Sequence, residues 1–425
     1  MAKGEPAIIY NLFPRLLGNI DRWMKHIDRI SRLNFNWIYV NPFHYPGFSG
    51  SLYAPKDYFA FNPVFVSDGQ DGFRMLKRFT DKCRKKGIFV MMDLVINHSA
   101  SDCILVEQHP EWYKREEDGS LMHPFCVDPA DTRKKTVWGD LAEIDNSPDS
   151  AHRQDLWEYW LELIRRYIEI GFKGFRADAA YKVPTELWDF LISSTKKTHP
   201  DIAFFAETLG AKEDDLKNVV KAGFDYVTNS SKWWDFQADW CPRQYEAFRK
   251  YAPSVSFPES HDTTRLFDDL GGNVNGLKMW YGFSAFFSAS IMMPLGFEWG
   301  FRKRVNVVHT MPQDFEEKNT NISAFINAAN KIKKSYKIFR YDSPMQIVTD
   351  DNETFFAMMK TPCGGKGKKA VVVINKDIHN VQYMDLSRFK EVAQITSPIA
   401  QVFPKKASLS KYSSEYAPGE VRVFV

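Results

Sequence analysis

Apolar residues recur along this chain in two alternating rhythms. Short unbroken runs, such as Ala7-Ile8-Ile9-Tyr10, Trp37-Ile38-Tyr39-Val40 and residues 88–95, are separated by stretches at 19–33 and 71–86 with charged and apolar positions interleaved. An unbroken run suits a strand buried on both faces, and a period of three to four suits one face of a helix. The clearest helix follows residue 150, where Leu156, Tyr159, Trp160, Leu163, Ile164, Tyr167 and Ile168 share one face. Strand and helix then keep alternating: a glycine-spaced run at 171–178, a helix at 185–196, a strand at 202–206, a helix at 214–221, a strand at 224–227, a helix at 243–249, a strand at 254–257 and an apolar run at 284–295. Eight strands, near Ile8, Ile38, Val90, Phe175, Phe204, Tyr226, Val255 and Met292, predict an α/β fold of the (β/α)8 TIM-barrel type.

Two stretches depart from that rhythm. Residues 99–149 carry His109-Pro110-Glu111-Trp112-Tyr113 and a charged turn at Glu116-Glu117-Asp118-Gly119 with no clear helix, which predicts a lid or small inserted domain after the third strand. Beyond a helix at 322–334 the period falls to two, at 346–348, 354–359, 370–374 and 421–425, which predicts a C-terminal antiparallel β-sandwich. The expected domains are therefore a barrel from 1–98 and 150–339, an insertion at 99–149 and a sandwich at 340–425.

Composition narrows the function classes. The chain has 425 residues, 26% of them charged, with 56 Lys and Arg against 53 Asp and Glu. That near-balance lacks the basic stripe of a nucleic-acid binder. The cluster Lys366-Lys368-Lys369 beside Gly364-Gly365 reads as a solvated turn. No stretch reaches the roughly 18 apolar residues that span a membrane. Five cysteines without C-x-x-C spacing point away from a zinc site or a disulfide framework, and an N-terminus without a long apolar run points to the cytoplasm. Aromatic residues reach 15%, enough to supply stacking platforms for sugar rings beyond those the core consumes. Nothing in the chain sets an oligomeric state.

In such a barrel the reactive groups stand at the C-terminal strand ends. Those ends read Asp93-Leu94-Val95-Ile96-Asn97-His98, Arg176 with Asp178, Ala206-Glu207, and Glu259-Ser260-His261-Asp262. Arg176 and Asp178 lie two apart on a strand and so share a side, where a guanidinium favours an ionised carboxylate. Each residue alone suits a bland role: a structural ion pair, a helix N-cap for Asp262, a satisfied core histidine for His98, a surface loop for Glu207. Their coincidence at four strand ends points to an active site. Two carboxyl groups, one ionised and one protonated, are the equipment of glycoside cleavage with retention, at a separation of roughly 5 to 5.5 Å. Asp178 suits the nucleophile. Glu207, after Ala203-Phe204-Phe205-Ala206, has apolar neighbours that favour a protonated general acid. Asp262 is left to stabilise the oxocarbenium-like charge, with His98 and His261 donating to sugar hydroxyls.

These four motifs, in this order, resemble the signature regions of the α-amylase family, glycoside hydrolase family 13. The resemblance runs over roughly residues 7–335, and the C-terminal domain is similar to the family's as well. It implies the same roles for Asp178, Glu207 and Asp262, and it implies that Tyr53, in Ser51-Leu52-Tyr53-Ala54-Pro55-Lys56-Asp57-Tyr58, stacks under the sugar next to the cleaved bond. Asp57, Arg176, Tyr181, Lys182 and Arg265 join the candidate substrate contacts. The family's Leu-Pro-Asp-Leu-Asp region is similar to Leu141-Ala142-Glu143-Ile144-Asp145, so Glu143 stands where a calcium-ligating aspartate is usual. Asn97, Glu143 and Asp145 are the candidate ligands of a structural Ca²⁺; the two-carboxyl chemistry itself requires no cofactor. Tyr181-Lys182 replaces the Lys-His that follows the nucleophile in many α-amylases. The stretch Phe257 to Arg265, with Gly296-Phe297-Glu298-Trp299-Gly300, is closer in character to the intracellular maltosyltransferase branch. The expected function is a cytoplasmic retaining enzyme that cleaves α-1,4-glucosidic bonds of maltodextrins or glycogen-type glucans through a covalent intermediate. The alternatives are a maltosyltransferase, with glucan or phosphate as acceptor and Lys182, Arg302 and Lys303 as anion contacts, and a catalytically silent glucan-binding or assembly protein.

Overall fold

In a computed structural model, which describes residues 5–127, 133–349, 354–384, 400–405 and 414–425, eight parallel strands close into a barrel. They are β1 (Ile8–Leu12), β2 (Trp37–Val40), β3 (Phe89–Leu94), β4 (Gly174–Ala177), β5 (Ala203–Ala206), β6 (Tyr226–Thr228), β7 (Ser254–Ser256) and β8 (Ser290–Pro294), with β8 pairing back onto β1. Helices α1 (Ile20–Arg32), α2 (Gly72–Lys85), α3 (Arg153–Ile170), α4 (Thr185–Thr198), α5 (Glu213–Lys221), α6 (Trp240–Phe248), α7 (Val274–Phe287) and α8 (Ser323–Ser335) cover the outside. Local chemistry fixes several ends: Asn19, Asp71 and Asn273 accept from the first-turn amides of Asp21, Arg74 and Gly276, and Gly171, at φ 108°, closes α3.

Inside the barrel, Ile9, Trp37, Tyr39, Met91, Phe205, Tyr226, Val255, Phe257 and Met292 form one packed cluster. Gly174 leaves room for them. A Cβ there would stand 2.7 Å from Trp37 Cζ3 and 3.0 Å from Met91 Cβ. Register does the rest, because β4 sets Arg176 level with Asp93 on β3 and with Phe205 on β5.

One expected boundary moves. The apolar run at 284–295 is not a single strand, since Ser284 to Phe287 end α7 and only Ser290–Pro294 pair in the barrel. Leu277, Met279, Tyr281, Phe283, Phe286 and Phe287 are all buried, so the end of α7 lacks the polar face that makes a helix visible in a sequence.

The insertion is built from short strand pairs, His98–Ala100 with Leu141–Glu143 and Phe125–Val127 with Lys135–Val137, plus a short helix at Ile104–Gln108. The C-terminal region forms a five-stranded antiparallel sheet in the order Met345–Ile347, Phe355–Lys360, Ala370–Asn375, Val421–Phe424, Gln401–Phe403. One of its faces, with Phe356, Met358, Val372, Ile374, Val421 and Val423, joins the main core. The other packs on Met384 and Tyr416, beside the pair Gln382–Tyr383 and Glu415–Tyr416. Polar anchors fix the sheet to the barrel. The Asp342 carboxylate accepts from the amides of Ser254 (2.6 Å) and Ala289 (2.5 Å), and Lys360 Nζ donates to the Phe287 carbonyl (2.5 Å) at the end of α7.

Arg265 belongs to this structural layer. Its Nη1 lies 2.8 Å from Glu259 Oε1, with both side chains at most 2% exposed, and Glu259 Oε2 accepts from the Leu266 amide at 2.6 Å. A guanidinium so enclosed depends on its carboxylate, because losing one partner of a buried pair strands the other charge. Glu259→Ala is expected to cost about 3–5 kcal/mol of unfolding free energy, read from the urea midpoint. Gly174→Ala, which presses a methyl group into the Trp37 ring, is expected to cost about 1–3 kcal/mol by the same measurement.

Candidate active site

The strand ends deliver their polar residues to one rim, and the tightest knot there is centred on Asp93. Its carboxylate is fully buried. Oδ1 accepts from Arg176 Nη1 at 2.8 Å, and Oδ2 accepts from the hydroxyls of Tyr39 (2.5 Å) and Tyr53 (2.6 Å). Burial pushes the Asp93 pKa up, against the pull of Arg176 and the two phenols. The same Arg176 Nη1 reaches Asp178 Oδ1, also at 2.8 Å, so one guanidinium is shared between two carboxylates.

Glu207 stands next to this pair and is held by backbone. Oε2 accepts from the Ala179 amide (2.9 Å), Oε1 accepts from the Leu209 amide (2.8 Å), and its own carbonyl accepts from the Ala180 amide (3.1 Å). Ala179, one residue past Asp178, takes a left-handed φ of 41°, unusual for a residue with a Cβ. That turn folds the chain back so that its amides meet Glu207. Burial raises the Glu207 pKa to about 7, with the Asp178 charge adding to the shift and Arg176 and the two amides opposing it.

On the other flank Tyr53 lies parallel to His261, with ring centroids 5.7 Å apart at 2°. His261 Nε2 is 2.7 Å from Tyr53 Oη and 3.1 Å from Asp262 Oδ2, while the Asp262 side chain is 58% exposed and free to face a ligand. His98 Nε2 lies 3.1 Å from the Tyr53 carbonyl. The Nδ1 atoms of His98 and His261 are buried and meet no protein partner among the described residues. A cavity of about 520 Å³ opens above these groups, walled by Ser51, Tyr53, Asn97, His98, Asp178, Lys182 and Asp262 and by Pro124, Trp138, Asp140 and Leu141 of the insertion. A second, smaller hollow below it is walled by Arg176, Glu207, His261 and Asp262 over the apolar barrel cluster.

Tyr53, His98, Arg176, Asp178, Lys182, Glu207, His261 and Asp262 thus meet at one place. Tyr181 lies on the same short turn, Ala180–Lys182, facing Gly210. Asp57 and Arg265 do not join them. The Asp57 carboxylate accepts from the amides of Phe59 (2.8 Å) and Ala60 (3.2 Å) within its own irregular hairpin, and Arg265 is committed to Glu259. Of the candidate calcium ligands, Asn97 lies in the cavity wall and the two acidic residues have protein partners. Glu143 is taken up by Lys114 Nζ at 2.6 Å, Asp145 Oδ1 accepts from the Ser147 amide at 3.3 Å, and among the described residues no three His, Cys, Asp or Glu side chains converge. Sequence reasoning missed Tyr39, whose place at the end of β2 was its only signal, and Trp138, which an aperiodic insertion gives no means of placing.

Comparison with known proteins agrees with this geometry. Residues 5–124 match the family model of the glucanotransferase domain of glycogen debranching enzyme. The chain is 24% identical over 275 residues to an alpha-1,4-glucan:maltose-1-phosphate maltosyltransferase of Burkholderia pseudomallei, covering 62% of this chain and 23% of that protein. It is 23% identical over 410 residues to a cyclomaltodextrinase of Geobacillus thermopakistaniensis, covering 90% of this chain and 64% of that one. The chain therefore spans from about a quarter to under two thirds of the length of these curated relatives. Among solved structures, an alpha-amylase from Geobacillus thermoleovorans complexed with acarbose superposes with a TM-score of 0.77 over 99% of this chain and 98% of that one, at 14% identity. An alpha-amylase from Lactobacillus plantarum does so with a TM-score of 0.75 over 99% and 98%, at 19% identity. With the four motifs at the ends of β3, β4, β5 and β7 of a closed barrel, the chain is similar in fold and in rim residues to the α-amylase family, glycoside hydrolase family 13.

Proposed function

We propose that this chain cleaves α-1,4-glucosidic bonds of maltodextrins or related glucans with retention, passing the glycosyl group to water or to a sugar hydroxyl. The observation that carries the reading is the pairing of Asp178, bonded to Arg176, with Glu207, a carboxyl that burial keeps protonated up to about neutral pH. A carboxylate oxygen of Asp178 attacks the anomeric carbon while the bond from that carbon to the leaving oxygen breaks, and the leaving oxygen takes the proton of Glu207. Glu207, now a carboxylate, removes a proton from the incoming hydroxyl as its oxygen attacks the same carbon and releases Asp178. Asp262 faces the positive charge that develops on the ring, and Tyr53, held by Asp93, Asn41 and His261, supplies the floor. Protein carboxyls carry every step, so no cofactor is called for.

A second reading gains support from the maltosyltransferase matches: the group moved is maltosyl, and the acceptor is a glucan or a phosphate, with Lys182 in the cleft wall as the cationic contact. We place the protein in a reducing compartment, the cytoplasm. Its cysteines 83, 103, 241 and 363 are free thiols, and no helix among the described residues is long and apolar enough to cross a membrane.

Incubation with maltoheptaose separates these readings by product length. Shorter sugars alone indicate hydrolysis, longer ones as well indicate transfer, and an unchanged substrate would count against both. Asp178→Ala is expected to lower turnover by at least about 10⁴-fold with an unchanged circular dichroism spectrum; retained turnover would remove Asp178 from the mechanism. The pH profile carries a sign. Because Glu207 must hold its proton to act, activity falls as pH rises through about 7, and Glu207→Gln is expected to erase that limb on a substrate whose leaving group needs no proton.

A further inference from the structure

We infer that Arg15 is a positioning residue that sets the width of the cleft by tying the loop that carries Ser51 and Tyr53 to the loop that follows β8, a role that rests on the glycosidase reading above. Arg15 stands on the helical turn Pro14–Leu17, just past β1, and is only 7% exposed. Phe13, Leu16 and Leu17 beside it are buried as well, so the turn is a fixed platform. Among the described residues no carboxylate pairs with its guanidinium, and burial lowers its pKa with no charge opposing the shift. Its nitrogens turn to backbone instead. Nε donates to the Thr310 carbonyl at 2.8 Å, Nη1 to the Gly50 carbonyl at 3.2 Å and Nη2 to the Val308 carbonyl, with Met311 Sδ 3.9 Å from Nη2.

A buried cation without a counterion is tolerated only where its N–H groups find acceptors. The dependence runs both ways here, because among the described residues the Gly50, Val308 and Thr310 carbonyls accept from no backbone amide. The two loops also touch directly, the Leu52 amide donating to the Val307 carbonyl at 3.1 Å. Both wall the 520 Å³ cavity, one with Ser51 and Tyr53 and the other with Val307 and Val308. Asp178 and Glu207 are held separately, by Arg176 and by the Ala179 and Leu209 amides. Losing the Arg15 fork therefore loosens the wall, and with it the hold on substrate, while the two reacting carboxyls keep their own supports.

The test splits KM from kcat. Arg15→Met keeps an apolar stem and removes the donors; it is expected to raise KM for maltoheptaose by about tenfold while kcat changes by less than about threefold. Hydrogen exchange at the Leu52 amide is expected to quicken, with exchange in β3 and β4 unchanged. A purely structural role would lower the fraction of active protein, and so the apparent kcat, at an unchanged KM; that result in folded Arg15→Met would overturn the proposal. Where Arg15→Met does not fold, Arg15→Lys decides. Its single nitrogen does not reach three carbonyls spread over two loops, so KM is expected to rise by about threefold, and an unchanged KM would overturn the proposal. A wild-type protein inert on maltoheptaose would instead remove the glycosidase reading. Leu52 exchange then judges the tie alone: faster exchange in the variant supports it, and unchanged exchange overturns it.

Discussion

One guanidinium organises this protein. Arg176 is bonded at once to Asp93 on the neighbouring strand and to Asp178 at the end of its own, and neither carboxylate is easily placed at that depth without it. Burial alone pushes Asp93 toward its neutral form, which would free Arg176 to bind Asp178 alone. The two phenols of Tyr39 and Tyr53 oppose that drift by donating to the outer oxygen of Asp93. Tyr53 and Asp178 therefore belong to one connected network, which also reaches Asn41 and His261.

The second carboxyl is governed by different physics. Glu207 also has two amide donors and a nearby arginine, each of which favours the anion, yet burial and the adjoining Asp178 charge prevail. Two carboxyls on the ends of neighbouring strands thus sit in different surroundings, Glu207 enclosed and held by amides and Asp178 in direct contact with a guanidinium. Sequence can suggest this from the apolar run before Glu207, but it does not reveal that Ala179 must turn left-handed for the two halves to meet.

Most of the barrel was legible, because buried parallel strands leave unbroken apolar runs and amphipathic helices leave a period between them. What escaped did so for physical reasons. The last turn of α7, Ser284 to Phe287, is buried on every side, so it merged with β8 in the reading. The short pairs at Gln382–Tyr383 and Glu415–Tyr416 hold too few residues to show alternation. At the rim, Asp178, Glu207, Asp262 and the two histidines declared themselves by falling at strand ends. Arg265 and Asp57 stood just as close in sequence to that rim, yet each found a nearer partner, Glu259 for one and the Phe59 and Ala60 amides for the other. Spacing locates a residue along a strand; it does not reveal which competing contact takes its side chain.

The C-terminal sheet bears on how the chain is made. Strand Val421–Phe424 lies inside that sheet, between Ala370–Asn375 and Gln401–Phe403, and Val421 packs so closely over α7 that a Cβ on Gly282 would meet it at 2.9 Å. The stretch of α7 around Gly282 is therefore synthesised well over a hundred residues before the strand that packs on it. Closing that contact is a long-range event, completed only once residues 421–424 have been made.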